Sequence, residues 1–269
     1  MPEGPEIRLA ADRIADVLVG EVVEAVEIAF PELKRFEDEL VGCRVERVDT
    51  RGKAMLTRFD NGLTLYSHNQ LYGRWFTAER GKTPDTRRSL RVALHTARRS
   101  ALLYSASDVE VLDAAGLAAH AFLQKLGPDL LDPDLEAPTL VERLASDRFR
   151  RRSVAALYLD QSFLAGLGNY LRSEILFCAG VAPERRPADL ADDTLSTLAQ
   201  ETLRLGRRSY RTRGVTLDED VRARLPKGRG RKRFWVFSRA GQRCYRCGSR
   251  IRKETRGSRR LYRCPTCQG

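Results

Sequence analysis

The feature that most constrains this chain lies near its end. Cys244-x-x-Cys247 and Cys264-x-x-Cys267 are separated by 16 residues, the spacing at which two tight turns each offer two thiolates to one ion. Gly248 and Pro265 are residues that such turns favour. Four soft ligands select a closed, tetrahedral zinc site with no open position for metal-assisted chemistry. The expectation is one structural Zn2+ per chain, carried on a β-hairpin. The alternative, two unrelated disulfides, conflicts with the reducing compartment expected below. Cys43 and Cys178 stand apart from this set and are expected to be buried thiols.

Charge concentrates in the same region. Residues 201–269 carry 22 Lys/Arg against 5 Asp/Glu, whereas residues 1–200 carry 26 against 31. The net charge of +12 therefore arises wholly in the last quarter, a pattern suited to a polyanion whose condensed counterions Lys and Arg displace. Between the two cysteine pairs lies KETRGSRRLYR, where Arg256, Arg259 and Arg260 could meet phosphates or form an ordinary solvated loop. No apolar run approaches the roughly 18 residues of a membrane span, and the N-terminus shows no secretory pattern. A cytoplasmic protein with no membrane partner is expected.

Periodicity divides the rest. Ile7, Ala10, Ala11, Ile14, Val17 and Leu18 recur at helical spacing from Pro5 to about Val19. From about Val22 to Leu112 the pattern favours short strands: VVEAVEIAF, CRVERVDT, AMLTRF, LTLYSH, LRVALHT and SALLYSA. A Pro/Asp-rich link, GPDLLDPDLEAP over 127–138, precedes a change to helical spacing in TLVERLAS, FRRRSVAALYLDQ, YLRSEILFCAG and DTLSTLAQETLRLGRRSY. The basic stretch 226–233 is expected to be a mobile linker. The fold class is α+β.

The first residues carry possible chemistry. Loss of Met1 from MPEGPEI exposes the secondary amine of Pro2, beside Glu3 and close to Glu6. An amine attacks a carbonyl-level carbon to form an iminium. An α-amine with a pKa of about 8 is neutral at pH 7 far more often than a lysine near 10.4. Glu3 could serve as general acid or base. Taken alone, the same residues also fit an ordinary helix lead-in.

PEGPEI, RGKA (51–54), YSHNQLYG (66–73), LDQSFLAGLGNYLRSEIL (159–176) and the four cysteines, in that order, resemble bacterial endonuclease VIII of the formamidopyrimidine-DNA glycosylase superfamily. The similarity runs from Pro2 to Cys267. It implies an N-terminal β-sandwich lobe with a leading helix (1–125), a helix–two-turn–helix DNA-binding domain (126–225), and a basic linker with a zinc finger (226–269). It implies a monomeric enzyme of the bacterial cytoplasm acting on damaged double-stranded DNA. By resemblance, Pro2 is the Schiff-base nucleophile, Glu3 the proton donor, Lys53 a basic group in elimination, and Glu6 a further catalytic residue. Asn169 is a phosphate contact, and Arg259 is the zinc-finger arginine, five residues before Cys264.

Some of these assignments have physical support. Lys53 is one of seven lysines beside 41 arginines, and an amine can do proton work that a permanently charged guanidinium does badly. Asn169 follows Gly166-Leu167-Gly168, where it is expected to cap a helix whose free N–H groups suit a phosphate. Without the resemblance, Lys53 is a surface charge and Asn169 a simple cap. Gln70-Leu71-Tyr72 matches the tripeptide that this subfamily inserts where a base is flipped from the stack; His68 and Asn69 are expected to order that loop.

Two departures bear on the assignment. Gly4 replaces a larger apolar residue usual in the 8-oxoguanine branch, which favours the endonuclease VIII branch. Lys125 stands where close relatives have a DNA-contacting arginine, keeping charge but losing a bidentate grip. The alternatives are a purine-specific glycosylase of the same superfamily and a non-catalytic zinc-ribbon DNA-binding protein.

Overall fold

The computed structural model describes residues 2–226, 232–256 and 259–269. Most of the expected basic linker falls outside the described residues, as does Met1. The chain forms two compact units. One holds Pro2 and Glu6–Lys125; the other holds Glu3–Pro5 and Leu126–Gly269.

In the first unit, helix α1 (Gly4–Leu18) turns its apolar stripe inward, and Ala11, Ile14 and Leu18 are essentially inaccessible. Strands β1 (Ala25–Ile28), β2 (Val45–Arg51), β3 (Ala54–Phe59), β4 (Thr64–His68), β5 (Arg74–Glu79), β6 (Leu90–His95), β7 (Arg99–Tyr104) and β8 (Asp108–Leu112) follow, with the short helix α2 (Phe36–Leu40) after β1. They make two antiparallel sheets, ordered β1-β6-β7-β5 and β2-β3-β4-β8. One apolar cluster draws Ile28, Val92 and Leu103 from the first sheet, Val45, Phe59 and Leu65 from the second, and Ile14 from α1. This is the expected sandwich with its leading helix. Helices α3 (Ala114–Ala119) and α4 (Ala121–Gln124) cover the other face of the second sheet through Leu117, Phe122 and Leu123.

The strand list needs two additions. RWFTAE and DVEVL form β5 and β8, each completing one sheet. Helix α2 lies within the region expected to be strands and turns, and α3 and α4 follow it, past Leu112. Cys43 and Cys178 are partly exposed, not buried.

The second unit is helical: α5 (Ala137–Ala145), α6 (Val154–Leu157), α7 (Asn169–Cys178), α8 (Asp192–Arg211) and α9 (Glu219–Arg224). Leu140, Leu157, Leu171, Ile175, Leu198 and Leu205 share its core. The long helix expected over 149–161 shrinks to α6, because other backbone claims its N–H groups. Val154 donates to Arg185 O and Ala155 to Pro183 O, while the Asp160 side chain turns the chain by accepting from Ser162 N at 2.8 Å. The expected C-terminal hairpin is present as β9 (Arg252–Arg256) and β10 (Arg259–Arg263), antiparallel with Arg259 opposite Arg256.

Candidate active site

The N-terminal turn of α7 is built against the start of the chain. Gly4 N donates to Gly166 O at 2.8 Å. A Cβ on Gly4 would fall 2.9 Å from Gly166 Cα, so a larger residue at position 4 would force this contact apart. Helix α7 has Gly168 as its N-cap and no side-chain cap of its own. Its donors are met by Glu3, whose Oε1 accepts from Tyr170 N at 2.8 Å and whose Oε2 accepts from Leu171 N at 3.3 Å. A carboxylate at a helix N-terminus is favoured by both the orphan N–H groups and the dipole. Gly168 is required for room: a Cβ there would lie 2.4 Å from Glu3 Cδ.

This corrects two expectations. Asn169 is the first residue of α7, not its cap. Nor are the helix N–H groups left open for a phosphate, since Glu3 occupies those of Tyr170 and Leu171. Asn169 keeps a different resource: its buried Oδ1 has no hydrogen-bond partner among the described residues.

Three consecutive side chains of α7, none singled out from the sequence, then hold the C-terminal part of the chain: Arg172 and Ser173 the hairpin strand β10, and Glu174 the backbone of 235–237. Arg172, 1 % exposed, donates to Ala155 O at 3.1 Å and to Arg260 O at 2.9 Å. Burial, partly offset by Glu3 and reinforced by Arg259, pulls its pKa down to about 10. Ser173 Oγ accepts from Tyr262 N at 3.2 Å. The Glu174 carboxylate receives Trp235 N, Val236 N and Phe237 N at 2.7–2.8 Å, together with the Thr216 hydroxyl. Burial raises its pKa against the effect of these donors. The available signal was RSE embedded in the apolar run of α7, since a charge on a buried helix face needs a partner.

Phe177 of α7 joins Trp235, Val236, Ile251 and Tyr262 in the hairpin's own apolar cluster. Here Cys244, Cys247, Cys264 and Cys267 bring their sulfurs within 4.8 Å of one another. Cys244 and Cys267 sulfurs are 3.9 Å apart, and those of Cys247 and Cys264 are 3.4 Å apart. A tetrahedral ion with metal–sulfur bonds of about 2.3 Å needs sulfurs about 3.8 Å apart. The four thiols are free rather than paired as disulfides, so the group can hold a metal ion. Arg259 is exposed at the start of β10, and its charge is felt by Arg172.

In the first unit, Lys53 and Gly52 form the two-residue turn of the β2–β3 hairpin, with Arg51 paired to Ala54. Gly52 has φ +62°, as such turns require. Pro2 and Glu6 are partly exposed, Glu6 in the first turn of α1. Leu71 and Tyr72, 54 % and 66 % exposed, are the most exposed large apolar residues among those described. Their loop is ordered from beneath. Gly73 N donates to Asn69 O at 2.7 Å, buried Asn69 packs under Gly73, and Arg88 donates to Tyr72 O. Gln70, at φ +45°, reaches Asp108 at 3.4 Å and accepts from Ser107 at 3.3 Å. His68 faces Asp108 at 3.5 Å and stacks near Phe122, anchoring the end of β4. Lys125 is exposed at the C-cap of α4.

Comparison with known proteins matches residues 1–107 to the formamidopyrimidine-DNA glycosylase N-terminal domain and residues 126–219 to the formamidopyrimidine-DNA glycosylase H2TH domain. The chain is 52 % identical to Endonuclease 8 of Escherichia coli O17:K52:H18 and 51 % identical to Endonuclease 8 of Pectobacterium carotovorum subsp. carotovorum, each covering 100 % of both sequences. Its fold matches that of the Lactococcus lactis Fpg protein, solved as a complex with DNA containing an abasic site. The TM-score there is 0.82 at 21 % identity, over 99 % of each chain.

Proposed function

The chain belongs to the formamidopyrimidine-DNA glycosylase and endonuclease VIII family, and from that premise we propose that it is a bifunctional DNA glycosylase and AP lyase of base excision repair, excising oxidised pyrimidines through Pro2. The observation that carries this is the seating of Glu3, the residue next to Pro2, on the first turn of α7. An acid beside a nucleophilic amine is thereby held in one place by the helix that opens with Asn169.

The Pro2 nitrogen, freed by loss of Met1, attacks C1′ of the damaged nucleoside. The C1′–N bond to the base breaks while the Glu3 carboxylate takes the proton of the attacking Pro2 nitrogen and passes it to the departing base. The C1′–O4′ bond then opens, O4′ taking a proton from water, and leaves the Pro2 iminium. The iminium acidifies the C2′ proton. Its removal, with Lys53 and Glu6 as participating groups, expels the 3′ phosphate. A second elimination expels the 5′ phosphate, and water releases Pro2 from the sugar fragment. Gln70, Leu71 and Tyr72 fill the stack vacated by the flipped nucleotide. Asn169, Lys125 and Arg259 contact the phosphate backbone. Zinc on the four cysteines would fix the hairpin that presents Arg259 and would take no part in the chemistry.

In this scheme residues 1–125 form the catalytic lobe, 126–225 the helix–two-turn–helix domain, and 226–269 the linker and finger. The enzyme works as a monomer on damaged duplex DNA in the cytoplasm. The pyrimidine branch is favoured over the purine branch by Gly4, whose backbone packs directly on Gly166, and by the 51–52 % identity to Endonuclease 8 sequences.

Borohydride added during reaction with abasic-site DNA should trap a cross-link that peptide mapping locates at residue 2. A cross-link at Lys53, or full trapping when the N-terminus is blocked, would overturn the mechanism. Binding without trapping would indicate a non-catalytic DNA-binding protein.

A further inference from the structure

A cavity of about 550 Å³ opens in the second unit, with Arg151, Arg172, Arg186, Arg256, Ser153 and Glu184 among its lining residues and neither Glu3 nor any cysteine among them. This volume is within the ordinary range for a small-ligand site. Its lining sets four guanidinium groups against one carboxylate. That carboxylate is already shared, since Glu184 lies 3.7 Å from both Arg256 and Arg263. Arg151 and Arg186 are exposed and have no carboxylate partner among the described residues. Arg172 forms part of the wall, and its Nε is buried without any hydrogen-bond partner there.

We propose that this cavity is a phosphate-binding subsite, in which Arg151 and Arg186 grip the anion against the wall formed by Arg172. Like charges crowded around a concavity repel one another, and an anion is the group that relieves them. Guanidinium forks match phosphate oxygens in pairs. Burial and Arg259 lower the pKa of Arg172, and a bound anion would oppose both effects. Because Arg172 also donates to Arg260 O of β10, an occupied subsite would stiffen the strand that carries Arg259. The phosphate can come from the DNA backbone beyond the contacts proposed above or from free phosphate. The DNA source rests on the proposed function, whereas the site itself does not.

The test uses the metal-loaded full chain at low salt. Inorganic phosphate is titrated by calorimetry and by the arginine Nε–Hε NMR signals, without DNA and without reaction, so a failure here leaves the glycosylase reading untouched. Wild type should bind phosphate saturably, and R151Q/R186Q should bind it roughly tenfold or more weakly. A156W, which fills the cavity from an exposed lining position without changing charge, should abolish binding. Affinity for a duplex with an abasic-site analogue is then measured across a salt series. If DNA is the source, R151Q/R186Q lowers the salt slope by about two; if free phosphate is, the slope is unchanged while phosphate binding is lost. No saturable phosphate binding in wild type, or equal binding in both variants, overturns the subsite whatever the DNA slope does.

Discussion

Replacing Glu3 by glutamine perturbs the start of α7 and the proposed chemistry together, and the two effects separate by assay. The carboxylate accepts from Tyr170 N at 2.8 Å and from Leu171 N at 3.3 Å, and the residue is 3 % exposed. Glutamine keeps one acceptor oxygen and turns an NH2 group toward the other donor, so one buried helix N–H loses its partner. That loss costs about 1–3 kcal/mol. Removing negative charge from the helix N-terminus costs about 0.3–1 kcal/mol more. A central value of about 2.5 kcal/mol corresponds to a fall in melting temperature of roughly 5–10 °C for a unit of this size. In single-turnover kinetics, excision of an oxidised pyrimidine should slow by the roughly 10²–10⁴-fold that general acid catalysis contributes. Cleavage at a preformed abasic site should fall far less, because no base has to leave. Equal losses on the two substrates would refute proton donation by Glu3. An unchanged melting temperature would refute its capping of α7.

Gly168→Ala should reproduce the Glu3→Gln profile with the carboxylate intact, because the added Cβ would occupy space 2.4–2.5 Å from Glu3 Cδ and Oε1; excision rates matching wild type would show that Glu3 need not sit there. Leu71→Ala and Tyr72→Ala, at 54 % and 66 % exposed positions, should leave stability within about 0.5 kcal/mol yet weaken binding to a lesion duplex by about 1–3 kcal/mol each, as read by fluorescence anisotropy. Lost stability with unchanged binding would make them ordinary turn residues. Cys247→Ala should release the metal and weaken DNA binding far more than Arg259→Ala, which should keep the metal and lower the salt slope by about one; metal analysis and a salt series on both proteins decide, and wild-type binding by Arg259→Ala refutes the phosphate contact.

The parts legible in the sequence are those whose physics is local. Strand β3 coincides with the run AMLTRF, and α1 follows its apolar stripe to within a residue. The cysteine cluster follows from spacing alone, because each pair needs only one tight turn to present two sulfurs. The segment 149–161 shows where local periodicity fails. Its apolar positions suit a helix, but Arg185 and Pro183 supply carbonyls to Val154 and Ala155, and no pattern within the segment announces a competitor from 28–31 residues downstream. Gln70-Leu71-Tyr72 carries no local mark of function either. Only exposure distinguishes Leu71 and Tyr72 from turn residues, and exposure is set by how Asn69, Gly73 and Arg88 hold the loop.

The Glu3–α7 contact spans 167 residues, and the capping and burial of the helix start explain why it is needed. Gly166-Leu167-Gly168 precedes α7 with no Ser, Thr, Asp or Asn at the N-cap, and the helix is too buried for water to serve every orphan donor, with Tyr170 and Leu171 at 6 % and 0 % exposure. An acceptor must therefore arrive from elsewhere in the chain. Asn169 hides this requirement by standing one residue too late, where it looks like the cap while its own backbone is already helical. A glycine cap also leaves the space that an incoming side chain needs, and at Gly168 that space is filled by a carboxylate. A buried helix start behind a glycine cap thus calls for an acceptor from a distant part of the chain, and its partner here is the residue next to the proposed nucleophile.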